Sequence, residues 1–356
     1  MILSKLRELM KNEGFDGLLI SSSINQSYIT GADFHDGYVA VTPDKCFAVV
    51  DFRYYESVKN AVGDGTQAVL ASGATLGRAI ELLLDSGAEK IAIEADDISL
   101  ATFEKITKKV GERAELVSGA EKILSSMRAV KRGEELERIA RAQAITDAAF
   151  EHILGFIKPD MTEREVALEL EFFMRQRGAE AMAFDVIAVS GCASALPHGV
   201  PRNVRLERGF LTMDFGAKVD GYCSDMTRTV VIGRADAEMK RLYNTVLSAQ
   251  QAALDALTAG FSCAEADKIA RDIINSAGYE GYFGHSLGHG VGRYIHEEPR
   301  LSTKSDGRLC VGNVVTVEPG IYVEGKYGCR IEDMVAITEK GIHNFTKSKK
   351  ELIELF

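Results

Sequence analysis

Up to about residue 122, short apolar runs at 18–20, 38–41, 47–50, 68–70 and 91–93 are interspersed with stretches near 53–62, 75–86 and 97–109 that read as helices. Short apolar runs bounded by turn residues predict buried strands, and recurrence every 3.6 residues predicts helices. Leu3, Leu6, Leu9 and Met10 form a helical stripe at the start of the chain, with Gly14 placed as its C-cap. This part reads as a small α/β domain with a mixed sheet. Its most polar loop, 31–37, holds His35 and Asp36 and reads either as solvated surface or as a cap over a neighbouring site. Around 119–132 the pattern turns polar, with basic residues flanking a short apolar segment, which predicts domains at 1–122 and 123–356.

In the second region a helix is predicted over 134–156, and Thr162 with Glu165 forms a capping box. The helix it opens has Val166, Leu168, Leu170 and Phe173 on its apolar face and stops at Gly178. Ser262, Glu265 and Gly278 repeat these three signals 100 residues later, and the run at 212–216 (TMDFG) matches 316–320 (TVEPG) at an offset of 104. Such a repeat predicts two related halves meeting across a pseudo-two-fold axis.

The stretch 210–232 reads as a β-hairpin, with apolar residues 210–215, an Asp220-Gly221 turn and the β-branched run 227–232. An Asp-Gly pair between two such runs favours a type I′ turn. A two-residue loop there pairs positions whose numbers sum to 441, so Asp214 faces Thr227 and Gly216 faces Asp225. Both carboxylates then project from one face, one pleat apart. Strand aspartates are commonly solvated on an outer face. Two so close repel unless a cation lies between them or one is protonated. The matching stretch of the repeat is acidic too, pairing Glu318 with Asp214 and Glu332 with Asp225.

Composition narrows the class. The chain of 356 residues is 46% hydrophobic and 26% charged, as in soluble globular proteins. A net charge of -10 argues against a general binder of nucleic acid or anionic membrane. The six cysteines are scattered with no CxxC, which suggests reduced thiols and a cytoplasmic home. The start of the chain lacks the apolar core of a signal peptide, and no run reaches transmembrane length.

Between the two acidic pairs lies 284–300, GHSLGHGVGRYIHEEPR, with His285, His289 and His296, while His198 sits in ALPHG. A lone histidine is more often a packed or surface residue than a ligand. Glycines on both sides of His289 let backbone crowd a site where side chains would clash. Four carboxylates and an imidazole suit divalent ions such as Mn²⁺, with Co²⁺ and Zn²⁺ also compatible. Two such ions about 3.5–4 Å apart can hold a bridging water, lower its pKa and clamp a tetrahedral oxyanion. The implied class is metal-assisted hydrolysis.

Asp214, Asp225, His289, Glu318 and Glu332, within MDFG, CSDMTRT, GHGVG, TVEPG and RIED, resemble the metal-binding set of the pita-bread metallopeptidases. That group includes methionine aminopeptidase, aminopeptidase P, prolidase and the metal-free creatinase. The resemblance spans nearly the whole chain. It implies a creatinase-like N-terminal domain before a pita-bread catalytic domain, an arrangement of Xaa-Pro peptidases. On this resemblance Asp214 chelates one ion and His289 the other beside Glu318, while Asp225 and Glu332 bridge. Glu318 also shuttles a proton, His198 and His296 bind substrate and the tetrahedral intermediate, and Arg330 orients the bridging carboxylates and joins the substrate-binding set. His285 has a weaker claim and braces its loop.

The X-Pro bond is a tertiary amide without an N–H, and its leaving group is a ring amine that must be protonated. After His296 the chain reads EEPR, placing Arg300 where prolidases of the group tend to have an arginine and where aminopeptidase P sequences read HEGPG. A guanidinium fork suits the free carboxylate of a dipeptide. A surface arginine paired with Glu297 or Glu298 is the alternative. The expected activity is therefore Xaa-Pro dipeptide hydrolysis, with aminopeptidase P activity on longer peptides and a non-catalytic pita-bread binding module as alternatives. The resemblance also implies a homodimer, in which the loop bearing His35 and Asp36 reaches the partner's pocket.

Overall fold

The computed structural model describes residues 2–356, and the chain divides into two compact units, one up to Met127 and one from Arg128 onward. The first is built on a six-stranded mixed sheet. Its strands are Gly17–Ile20 (β1), Tyr38–Val41 (β2), Cys46–Val50 (β3), Thr66–Leu70 (β4), Lys90–Ile93 (β5) and Glu115–Ser118 (β6), ordered β4-β3-β2-β1-β5-β6. Side chains alternate across the sheet. Leu18 and Ile20 therefore meet Leu6 and Met10 of the helix Ile2–Asn12 on one face. On the other face Leu19 joins Ile80 and Leu83 of Thr75–Asp85 and Ile106 of Leu100–Val110. Covering both faces explains why the central strands are continuous apolar runs.

Three elements of this unit and its end escape the sequence pattern: the helix Ser23–Thr30, the edge strand β6 and the helix Ala120–Ala129. β6 presents only two apolar residues, and Ala120–Ala129 folds from the polar stretch by burying Ile123 and Leu124 in the core. In the 31–37 loop, Phe34 is buried and His35 exposed, while the Asp36 carboxylate accepts from Arg53 at 3.0 Å.

The second unit shows the repeat in three dimensions. Helices Gly133–Phe156 and Glu163–Gln176 have counterparts in Ala237–Ala256 and Cys263–Ile274. Isolated β-bridges Thr162↔Arg205 and Ser262↔Arg308 mark equivalent points just before the second helix of each pair. The capping box at Thr162 is complete, whereas at Ser262 only the hydroxyl half forms, accepting from the Glu265 amide. Strands Gly209–Phe215 and Met226–Ile232 pair antiparallel in a four-stranded sheet, and Val314–Val317 and Asp333–Thr338 do so in a five-stranded one. The halves join where the Glu332 amide donates to the Thr227 carbonyl at 3.1 Å.

Asp214 pairs with Thr227 as the register predicts, and Asp220 and Gly221 both take positive φ, 47° and 77°. The hairpin is not continuous. Pairing breaks at 216 and at 224–225, and the tip, Ala217–Val219 with Tyr222–Cys223, belongs to a separate small sheet. Asp225 sits at that break, freed from the ladder to face Asp214.

Behind the seam, Arg228 is fully buried. Its guanidinium pairs with Asp333 at 2.8 Å and donates to the carbonyls of Ser348 and Lys349 at 2.9 and 3.0 Å. It also donates to the Glu332 carbonyl, so the segment leading to the last strand, Glu354–Leu355, is strapped directly behind Glu332.

Candidate active site

A cavity of about 570 Å³ opens in the second unit, and Asp214, Asp225, His289, Glu318 and Glu332 form its floor. The His289 imidazole comes from the strand Gly288–Gly290, and its position depends on the two glycines. A Cβ on Gly288 would strike the Thr316 carbonyl, and one on Gly290 would strike the Glu298 carbonyl. His289 Nδ1 faces the Gly290 carbonyl at 3.1 Å, so that nitrogen carries the hydrogen. The Nε2 lone pair then faces Asp225 Oδ2 at 3.5 Å and Glu318 Oε1 at 3.3 Å.

Asp225, His289 and Glu332 present ligand atoms all within 4.8 Å of one another. Burial, then the charge of Glu332, raises Asp225 well above the carboxylate range; burial, then Glu318, raises Glu332. Burial, with Asp214 beside it, moves Glu318 up to about 8, and burial followed by His296 lowers His289 to about 3. Asp214 Oδ1 is buried without a hydrogen-bond partner. Acids crowded until they hold protons, a neutral imidazole lone pair and an orphaned carboxylate oxygen together fit divalent cations, which would displace those protons.

Arg330 differs from expectation. Its Nη2 donates to Asp214 Oδ2 at 2.7 Å, Nη1 to the Tyr322 hydroxyl at 2.8 Å and to the Pro197 carbonyl at 3.3 Å, and Nε to the Thr227 hydroxyl at 3.0 Å. Thr227 in turn donates to Glu332 Oε2 at 2.8 Å. Arg330 therefore holds Asp214 directly and, of the two residues expected to bridge, reaches only Glu332, through Thr227. With each of its three nitrogens engaged by the protein, it braces the floor rather than presenting a fork to substrate.

Beyond it, the chain of donors has a fixed direction. His285 Nδ1 faces the Ser286 carbonyl at 2.9 Å, and burial lowers this imidazole to about 4, so Nδ1 carries the hydrogen. Nε2 then accepts from the Tyr322 hydroxyl at 2.9 Å, whose oxygen accepts from Arg330. The sequence reading gave no role to Tyr322 and cast Thr227 only as the residue facing Asp214. The hairpin register already placed Thr227 opposite Asp214. Tyr322 follows the acidic motif by two strand positions, a weaker signal.

The rim is built differently. His198, His296 and Arg300 are exposed and line the same cavity. His296 stands edge-on to His289 with ring centroids 4.3 Å apart. The loop carrying His198 is tied down by Glu163, fully buried in the first turn of its helix, which accepts from the Ser190 amide at 2.7 Å and from the Arg202 guanidinium at 2.6 Å. Arg300 forms no ion pair among the described residues, and Glu297, one of its suggested partners, is engaged elsewhere. Phe184, Val186, Pro197, Val200 and Ile295 give the walls an apolar character.

Residues 137–339 match Metallopeptidase family M24, and residues 2–130 match the Creatinase/Prolidase N-terminal domain. The chain belongs to metallopeptidase family M24. Membership in this family implies divalent metal ions at the site. An Xaa-Pro dipeptidase of Pyrococcus furiosus is 37% identical over 99% of both chains. Among solved structures, an Xaa-Pro dipeptidase from Bacillus anthracis superposes with a TM-score of 0.96 at 39% identity, covering 99% of each chain. An X-Pro aminopeptidase from Thermotoga maritima superposes at 0.89 and 36% identity, covering 96% of this chain and 98% of its own. Both kinds of Xaa-Pro peptidase therefore share this fold. No helix among the described residues is long and apolar enough to cross a membrane.

Proposed function

We propose that this chain hydrolyses the Xaa-Pro bond of dipeptides, with two divalent ions held by Asp214, Asp225, His289, Glu318 and Glu332. Mn²⁺ suits this oxygen-rich set, with Co²⁺ or Zn²⁺ compatible. The ions would supply an acidified water and electrophilic stabilisation of the carbonyl oxygen. Glu318 accepts the proton of the attacking water and delivers it to the proline nitrogen as the C–N bond breaks. With its proton displaced by the bound ions, the Glu318 carboxylate, which lies 3.3 Å from His289 Nε2, would be free to make both transfers. His198 and His296 contact the substrate carbonyl and stabilise the oxyanion as it develops.

The observation that carries the dipeptide reading is Arg300. It is a guanidinium on the cavity rim with no protein counter-charge among the described residues, well suited to the free carboxylate of a C-terminal proline. Homodimeric assembly and a cytoplasmic setting belong to the same reading, supported by the family and by six unpaired cysteines.

The experiment is hydrolysis of Leu-Pro and of a longer X-Pro-Y-Z peptide by the Mn²⁺- and Co²⁺-loaded enzyme. Faster cleavage of the dipeptide is expected. Preference for the longer peptide would make the chain an aminopeptidase P, and no cleavage of either would reopen the binding-module reading.

A further inference from the structure

His296 has no side-chain hydrogen-bond partner among the described residues, so its imidazole is aimed by its backbone and by the edge-on His289 ring rather than by a bond at its tip. That backbone is held from an unexpected place. Glu297, next in sequence, has a side chain only 2% exposed, with Oε1 accepting from Lys131 Nζ at 2.6 Å and Oε2 from Arg128 Nε at 3.3 Å. The Lys131 side chain is itself 1% exposed. Arg128 also lies over the Tyr294 ring, 4.8 Å from its centroid, so it touches residues on both sides of His296.

The cluster is fixed at each end. The Lys131 amide donates to the Gly312 carbonyl at 2.8 Å, and Asn313 donates to the Ala129 carbonyl at 2.8 Å. A Cβ on Gly312 would collide with the Lys131 carbonyl, and one on Gly292 would collide with the Glu297 carboxylate. Gly292 in turn accepts from the Cys223 amide at 2.8 Å, two residues before Asp225. His296 is the last residue of a bend, and the strand Glu297–Leu301 begins at the next position. Drawing Glu297 inward to Lys131 therefore fixes the chain at the point where His296 enters the cavity.

We propose that Lys131 and Arg128, acting through Glu297, are positioning residues that set the catalytic geometry of His296. A buried ion pair is a weak source of net stability but a strong directional constraint, and removing one partner leaves the other charge uncompensated. The parallel with Glu163, which ties down the His198 loop, makes the two rim histidines alike. Each is free at its tip and held by a buried glutamate beneath its loop. The inference rests on the reading of His296 as a catalytic residue.

The test is a double-mutant cycle on the full-length, Mn²⁺-loaded enzyme. Lys131→Met should lower kcat on Leu-Pro about tenfold to a hundredfold, the cost of misplacing a reacting group by about an ångström. Calorimetric Mn²⁺ affinity should be retained, and Lys131→Arg should restore most of the rate. In a His296→Ala background Lys131→Met should cost less than about twofold, because the group it positions is gone. In the metal-free chain, the His296 ring resonances should move in Lys131→Met while those of His343 stay. If Lys131→Met does not fold, Glu297→Gln, which keeps the shape but can accept from only one of the two cations, carries the same cycle. Equal losses in both backgrounds, a loss explained by weaker Mn²⁺ binding, or an unmoved His296 resonance would overturn the inference alone. A His296→Ala enzyme of undiminished kcat would overturn it together with the role given to His296.

Discussion

The floor and the rim of the cavity solve the same problem in opposite ways. On the floor the side chains restrain one another, as Arg330 grips Asp214, Thr227 bridges Arg330 to Glu332, and Thr316 donates to Glu318 at 3.2 Å. On the rim, His198, His296 and Arg300 end in solvent, and only the loops beneath them are fixed. A preorganised floor can hold charge at constant geometry, which suits metal ions and proton transfer. A rim of unpartnered polar tips leaves its hydrogen-bonding capacity for substrate. An X-Pro aminopeptidase and an Xaa-Pro dipeptidase both superpose on this chain.

The largest effect should come from breaking the floor. Glu318→Gln keeps the shape and removes the proton carrier, so kcat for Leu-Pro should fall about 10²- to 10⁴-fold. Steady-state kinetics at saturating Mn²⁺ would check this, and a loss confined to KM would show that Glu318 moves no proton. A smaller effect is expected from the brace. Tyr322→Phe deletes the hydroxyl linking Arg330 to His285, and activity or metal affinity should fall about tenfold to a hundredfold. An unchanged enzyme would mean that Arg330 needs no help in holding Asp214.

The smallest predicted effect sharpens the electrostatic side of the comparison. In the metal-free fold Glu318 titrates at about 8 against an ordinary value of 4.5, so the stability linked to it is complete below 4.5 and is lost as pH rises through about 8. His285 and His289, lowered to about 4 and 3 from 6.5, act oppositely, contributing above 6.5 and losing their contribution as pH falls. Between about 6.5 and 8 only the carboxyl effect remains of these two. Tm of the metal-free protein should therefore decline across that window, and Glu318→Gln should lessen the decline, leaving the part that the raised Asp225 and Glu332 contribute. A rising Tm would show that the acids are ionised without metal.

The same division governs what the sequence revealed. The floor was legible because its cues are local. The Asp-Gly turn set the register that pairs Asp214 with Thr227, and the repeat offset paired Glu318 with Asp214. The break that puts Asp225 between two sheets was not legible, because it depends on strand partners contributed from elsewhere in the chain. Arg330 was recognised, but its engagement by Tyr322, Thr227 and Asp214 requires three segments to converge. Glu297 is the sharpest case. Sequence proximity offered Arg300 only as an alternative partner for Glu297 or Glu298, and gave no hint that the Glu297 carboxylate belongs to Lys131, 166 residues earlier. Local pattern finds residues that act with their neighbours and misses pairs made by topology.

On the proposed function, a braced metal floor performs Xaa-Pro hydrolysis while an unpartnered rim arginine restricts it to dipeptides. The most direct test is the ratio of kcat/KM for Leu-Pro to that for a longer X-Pro-Y-Z peptide, measured for the Mn²⁺-loaded enzyme and for Arg300→Ala. Loss of a charge-assisted hydrogen bond worth about 1.5–3 kcal/mol predicts a fall in that ratio of roughly ten- to a hundredfold, arising on the dipeptide side. An unchanged ratio in Arg300→Ala would contradict the account and remove its basis for separating a dipeptidase from an aminopeptidase.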